Sequence, residues 1–179
     1  PPPPQTAGPH TTESQPTPPQ TTDSRTADYR FLYLGPAGSW TPLHSDVLRS
    51  YSWSANIAGR KRWLLLPPED TWMLYDVHMR DLAPHFGPLE DATLAKNFPN
   101  LAHARRRLYE VVQEPGELLF VPSGWHHTVH NLTDALSINH NWINAFNVHW
   151  TWANIKAQHV RAAKSIEDCR ALCSTTREW

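Results

Sequence analysis

Between Tyr29 and Trp142 the chain is cut into short apolar runs by glycine and proline, and this punctuation constrains the fold more than any other feature. YRFLYL closes at Gly35-Pro36, YSWSANIA at Gly59, RKRWLLL at Pro67-Pro68, LYEVVQ at Pro115-Gly116 and LLFVP at Ser123-Gly124. Such runs are too short for typical helices and rich in β-branched and aromatic residues, so they read as strands. SWTPLHSD, WHHTVHN and ALSINHNW bring the candidates to eight, although Pro42 would perturb the ladder of the first of these. Many short strands joined by turn signals call for a sandwich or barrel, and eight suit a double-sheet jelly roll, a mainly β fold. Alternation within the runs is partial. That pattern fits strands packed on one face and capped by other elements on the second.

The flanks read differently. Residues 1–26 hold Pro, Thr, Gln and Ser but no Leu, Ile, Val or Phe, so they cannot offset their ordering entropy and form a disordered leader. Residues 27–147 make the barrel. Within it, residues 69–107 form an insertion broken by Pro84, Gly87, Pro88 and Pro99. TWMLYDVHMRDL could make a short helix there, and the rest reads as a loop with helical turns on the rim of a site. Residues 148–179 make a C-terminal helix and tail, with Asn147 as its cap. Val148, Trp152, Ile155, His159, Ala162, Ile166, Cys169 and Cys173 fall on one helical seam, either packed on the barrel or pairing with a second copy.

Charge narrows the partners. With 16 basic and 17 acidic residues the net charge is −1, which gives no footing for a nucleic-acid partner. The basic run Arg105, Arg106 and Arg107 reads as a solvated face. No run of about 18 apolar residues is present, so no membrane-spanning helix is expected. The N-terminus lacks the apolar region of a signal peptide, which points to the cytoplasm, with the nucleus open. Cys169 and Cys173 are read as reduced thiols, since their spacing matches neither a redox nor a zinc motif. Asn131-Leu132-Thr133 matches a glycosylation sequon that the absence of a secretion signal leaves without meaning.

The residues that carry chemistry begin with His44 and Asp46. Two apart in an extended run, they point to one face and offer an imidazole and a carboxylate. A third ligand must come from His126, His127 or His130. On a strand His126 and His127 face opposite ways, and spacing alone does not say which face is inward. Histidines at positions 126 and 130 would suit a zinc helix, but Pro122, Ser123 and Gly124 argue for a turn into a strand. Two His and one carboxylate make the facial triad of non-haem Fe(II) oxygenases, with positions left open for other ligands.

TPLHSD, GRKRWLLLPP, ELLFVPSGWHHTVHNL and SINHNW, in this order, resemble the jumonji-C branch of the cupin 2-oxoglutarate oxygenases over roughly residues 29–147. LGPAGSWTPLHSD and SINHNW are similar to its jumonji-domain-containing protein 4 type, described as a lysyl hydroxylase of a translation release factor. The resemblance implies a double-stranded β-helix that binds Fe(II), takes 2-oxoglutarate and dioxygen, and hydroxylates a protein side chain with release of succinate and CO2. Lysine or arginine demethylation is the neighbouring alternative. It also implies that His127 is the third metal ligand, His126 is structural, and His130 lies at the surface or behind the ligands.

By the same resemblance Lys61 meets the distal carboxylate of 2-oxoglutarate, with Arg60 and Arg62 on the other strand face. The alternative makes all three solvated strand charges. Thr41 corresponds to a hydroxyl on that same carboxylate, and Asn141, then Asn139, to residues beside the co-substrate. Trp53, Trp63 and Trp125 are expected in the core. No further acid–base pair is expected, so the metal site is the whole catalytic apparatus. Relatives of this type carry a long region before the first strand and further helices after the last. The chain therefore reads as truncated at both ends, with a homodimer through the C-terminal helix expected in longer forms. Losing both flanks would expose apolar barrel surface, which makes a non-catalytic binding or scaffold form the alternative of another class.

Overall fold

A computed structural model describes residues 30–87, 92–167 and 169. Among the described residues there are eight strands: β1 Arg30–Gly35, β2 His44–Ser45, β3 Tyr51–Ala58, β4 Lys61–Leu66, β5 Tyr109–Gln113, β6 Leu118–Val121, β7 His126–Asn131 and β8 Ala135–Trp142. They form two four-stranded antiparallel sheets, ordered β1-β8-β3-β6 and β2-β7-β4-β5. This is the jelly roll that the punctuation predicts. The second run is shorter than expected. Only His44–Ser45 is a strand, while Trp40 bridges His130, because Pro42 between them lacks the N–H a continuous ladder needs. The leader and Cys173 lie outside the described residues.

The inward face of the first sheet is polar. Ser52, Ser54 and Asn56 of β3 lie beside Asn141, Asn139 and Ser137 of β8, and all six are buried or partly buried. Their intervening neighbours, Tyr51, Trp53, Leu136, Ile138 and Trp142, face outward. Trp53 is therefore not a core residue but part of an aromatic layer on the outer face, its ring 5.8 Å from that of His140. On this outer face Leu34, Leu32 and Leu118 are 79, 70 and 65% exposed. The apolar interior of the barrel is small: Trp63, Leu65, Val121 and Val129, with Leu119 and Trp125 against them.

A second, larger core lies outside the barrel, and it corrects the expectation for residues 69–107. A 3-10 segment Pro68–Leu74 and two short helices, α1 Ala92–Asn97 and α2 Leu101–Arg105, send Met73, Leu74, Leu94, Leu101 and Ala104 onto Leu66 of β4 and onto Leu43. The described residues of the insertion buttress the outer face of the second sheet and do not line the pocket described below. The basic run staples it: Arg107 Nε lies 2.5 Å from Asp70 Oδ2, and Arg105 Nη1 donates to the Phe86 carbonyl at 3.1 Å.

α3, Val148–Ser165, follows β8 and rests on a turn at Val47–Arg49. Its apolar seam does not pack on the barrel. Thr151 is its buried residue, whereas Val148, Trp152 and Ile155 are exposed. Asn147 stands at the cap position but makes no side-chain cap. Its Oδ1 accepts from the Asn144 N–H and its Nδ2 donates to Ser123 Oγ, which ties the helix start to the β6–β7 turn.

Candidate metal centre

The pairing of β2 with β7 places His44 opposite His127, and their imidazole centroids are 4.4 Å apart. Asp46 follows β2 in an extended conformation, φ −57° and ψ 150°, and its carboxylate turns to the same side. One donor atom from each of His44, Asp46 and His127 lies within 4.8 Å of the others, a grouping that could hold a metal ion. Backbone carbonyls set the tautomers. His44 Nδ1 is 2.7 Å from the Pro42 carbonyl and His127 Nδ1 is 3.2 Å from that of Trp125. With Nδ1–H donated to a carbonyl, each ring presents Nε2 as a lone pair. Burial, reinforced by the neighbouring His44, pushes the His127 pKa down to about 4. The ring is thus neutral at ordinary pH, the state a metal requires. Two imidazole nitrogens and one carboxylate oxygen fit a divalent first-row metal with open positions.

Lys61 enters the same pocket from β4 and is only 6% exposed. Its Nζ donates to Ser137 Oγ at 2.6 Å and lies 5.9 Å from the centre of the Tyr33 ring. Burial lowers its pKa. No carboxylate among the described residues forms an ion pair with it. Its neighbours behave differently. Arg60 pairs with Glu114 at 2.9 Å and Arg62 with Glu110 at 2.7 Å, both exposed on the outer face. Strand alternation thus singles Lys61 out of Gly-Arg-Lys-Arg.

A cavity of about 170 Å³ joins these groups, lined by His44, Asp46, His127, Lys61, Thr41, Asn139 and Asn141. The Thr41 hydroxyl oxygen accepts from the Val129 N–H at 3.0 Å, which leaves its own proton to donate into the pocket. Asn141 Nδ2 donates to Ser50 Oγ, and Asn139 Oδ1 accepts from Ser54 Oγ, both at 2.9 Å. Tyr33, Ser52 and Ser137 also belong to this region, and sequence reasoning missed all three. The signal was the S-x-S-x-N of β3 and the S-x-N-x-N of β8, which mark an inward face only once that face is known to be polar.

The other two histidines lie elsewhere. His126 is buried on the opposite side of β7, 3.2 Å from Thr71 Oγ1 of the insertion, and burial lowers its pKa to about 4. His130 stacks on Trp40, with ring centroids 6.0 Å apart. Both are on a strand, and neither belongs to a three-ligand grouping among the described residues, so the zinc-helix alternative falls.

The family described as "JmjC domain, hydroxylase" matches residues 31–142, all of the two sheets but Arg30. The chain belongs to the JmjC family. Among its JmjC relatives is the "Arginine-specific demethylase JMJ20" of Arabidopsis thaliana, 50% identical over 147 residues, which cover 82% of this chain and 31% of the relative. The "2-oxoglutarate and iron-dependent oxygenase JMJD4" of Homo sapiens is 45% identical over 147 residues, covering 80% of this chain and 34% of the relative. The "Bifunctional arginine demethylase and lysyl-hydroxylase psr-1" of Caenorhabditis elegans is 32% identical over 133 residues, covering 73% and 33%. The chain spans about a third of the length of these relatives.

Proposed function

We propose that the chain forms the core of an Fe(II)- and 2-oxoglutarate-dependent protein hydroxylase, with a lysine of a translation release factor as the modified residue. The observation that carries this reading is one pocket in which two imidazoles, one carboxylate and a buried ammonium with no direct ion pair meet. The human relative, a 2-oxoglutarate and iron-dependent oxygenase, supports the metal and the co-substrate. His44, Asp46 and His127 would hold the iron, which would supply oxidative decarboxylation of 2-oxoglutarate to succinate and CO2 coupled to insertion of the second dioxygen atom into a substrate C–H bond.

The residues of the chain bind and orient. His44 and His127 offer Nε2 because their Nδ1 protons are committed to carbonyls. Asp46 supplies the anionic ligand. Lys61 pairs with the distal carboxylate of the co-substrate, which relieves the cost of burying its charge. The Thr41 proton reaches the same carboxylate, and the amides of Asn141 and Asn139 line the wall beside it. Trp63, 2% exposed and 5.6 Å from the His127 ring, keeps water from one side of the metal site. The exposed Val148, Trp152 and Ile155 on α3 support the further reading that longer forms pair through this helix.

A second reading is N-methyl demethylation, favoured by the 50% identical relative named an arginine-specific demethylase. One assay separates them. The chain is given iron, 2-oxoglutarate and dioxygen with release-factor peptides and with methyl-arginine and methyl-lysine peptides. Hydroxylation adds one oxygen atom to the peptide mass. Demethylation removes a methyl group and releases formaldehyde. Absence of succinate from folded, iron-loaded protein across all peptides rejects both in favour of a binding scaffold.

A further inference from the structure

Asp46 is held differently from the two histidines. His44 and His127 stand on paired strands, but Asp46 lies past the end of β2, immediately before the turn Val47–Arg49. In that turn Leu48 and Arg49 both take φ 54°, a left-handed conformation that non-glycine residues rarely adopt. Strained backbone persists where the surroundings over-determine it, and such positions cluster at functional sites. Here the surroundings are visible. Arg49 N–H bonds to the Asp46 carbonyl, and Ser50 N–H to that of Val47. Asn141 donates to Ser50 Oγ, and α3 rests on the turn.

The consequence of the turn is that β3 starts beside the metal site. Ser52, six residues after Asp46 and 5% exposed, donates its hydroxyl to Asp46 Oδ2 at 2.6 Å. No other donor among the described residues reaches that carboxylate. A carboxylate with two free oxygens can rotate and chelate a metal through both. It would then occupy a position that a chelating co-substrate and dioxygen need. A donor fixed on one oxygen locks the carboxylate plane and leaves the other oxygen as a single ligand.

We propose that Ser52 is the positioning residue of this metal centre, holding Asp46 to one-oxygen ligation through its hydroxyl. The inference rests on the reading of His44, Asp46 and His127 as metal ligands. The sequence marks Ser52 only through the S-x-S-x-N alternation of β3, which does not say that this face is inward. Ser52 is one of four serines between residues 45 and 54, and only the turn and the inward face of β3 bring it to Asp46.

The test is the affinity of the 179-residue chain for Mn(II), measured by anaerobic calorimetry with and without 2-oxoglutarate. S52T and S52V are compared because they share shape and differ in the hydroxyl. S52V is expected to weaken Mn(II) binding by roughly 10- to 100-fold, the usual effect of losing a partner behind a ligand, while S52T retains the wild-type affinity. The Mn(II) resonance spectrum should change in S52V and not in S52T. Equal affinities for S52T and S52V overturn the proposal. S52A, which adds no bulk, decides the matter where either variant fails to fold: wild-type affinity overturns the proposal, and a loss of about 10-fold or more supports it. D46A and H44A locate any failure. If D46A loses Mn(II) and S52V keeps it, the role of Ser52 is wrong. If D46A and H44A keep it, the ligand reading itself has failed.

Discussion

At the scale of single residues, the pocket is built from groups that burial makes costly unless a ligand arrives. Lys61 is the clearest case, a buried ammonium bonded to Ser137 and without an ion-pair partner among the described residues. Lys61→Met should weaken 2-oxoglutarate binding by about 2–3 kcal/mol, roughly a hundredfold, because it removes a hydrogen bond between charged groups. Mn(II) affinity in the absence of 2-oxoglutarate should not change, and the ligand-free protein should become more stable, since an uncompensated buried charge is gone. Calorimetry and denaturant titration read these effects separately. The histidines give a pH signature. His126 and His127 protonate near 4 in the folded chain and near 6.5 in a model imidazole. The unfolded chain therefore binds more protons between those values, and stability, full above pH 6.5, falls as pH drops toward 4. Urea midpoints across this window should show the fall, and His126→Gln should flatten it. A midpoint independent of pH would mean that neither ring is buried neutral.

At the scale of elements, the insertion behaves as structure. Leu74 is fully buried in the core between the 3-10 segment, α2 and β4. Leu74→Ala should cost about 2–5 kcal/mol, as for other buried leucines. A cost near zero, read from denaturant unfolding, would return residues 69–107 to the status of a loop. The punctuation by proline and glycine located the strands because those residues set backbone angles locally. It misjudged the insertion because Met73, Leu74, Phe86 and Leu101 are scattered among breakers, and their common face exists only against Leu66 and Leu43. Packing of the α3 seam on the barrel failed for the converse reason. Its period was real, but Thr151, not the apolar stripe, meets the turn at Val47–Arg49.

At the scale of the whole molecule, the barrel is polar within and apolar on the outer face of its first sheet. Leu32, Leu34 and Leu118 lie there beside Phe120, Ile138 and Trp53. Contiguous apolar surface of this kind drives association. The double substitution Leu32→Lys and Leu118→Lys should suppress concentration-dependent light scattering of this chain. It should change unfolding stability by less than about 0.5 kcal/mol per site and leave metal affinity intact. Scattering that persists unchanged would place the sticky surface elsewhere, with α3 the next place to test.

The sequence by itself determined where strands begin and end, since glycine and proline act through their own backbone. It also supplied the candidate ligand types at fixed spacing: His44 and Asp46 two apart, a histidine cluster at 126–130, and one lysine flanked by arginines. It did not determine which face of any strand is inside. Period-two alternation is symmetric, so YSWSANIA offers Tyr51, Trp53 and Ala55 or Ser52, Ser54 and Asn56 equally, and ordinary burial favours the wrong set. Tertiary structure broke that symmetry. Two sheets close around a cavity held by Ser54–Asn139, Lys61–Ser137 and Ser52–Asp46 hydrogen bonds, and the insertion covers the opposite face of β4. Ser52, Ser54, Ser137, Asn139 and Asn141 point inward because each finds a partner there, and the aromatic residues take the face that remains.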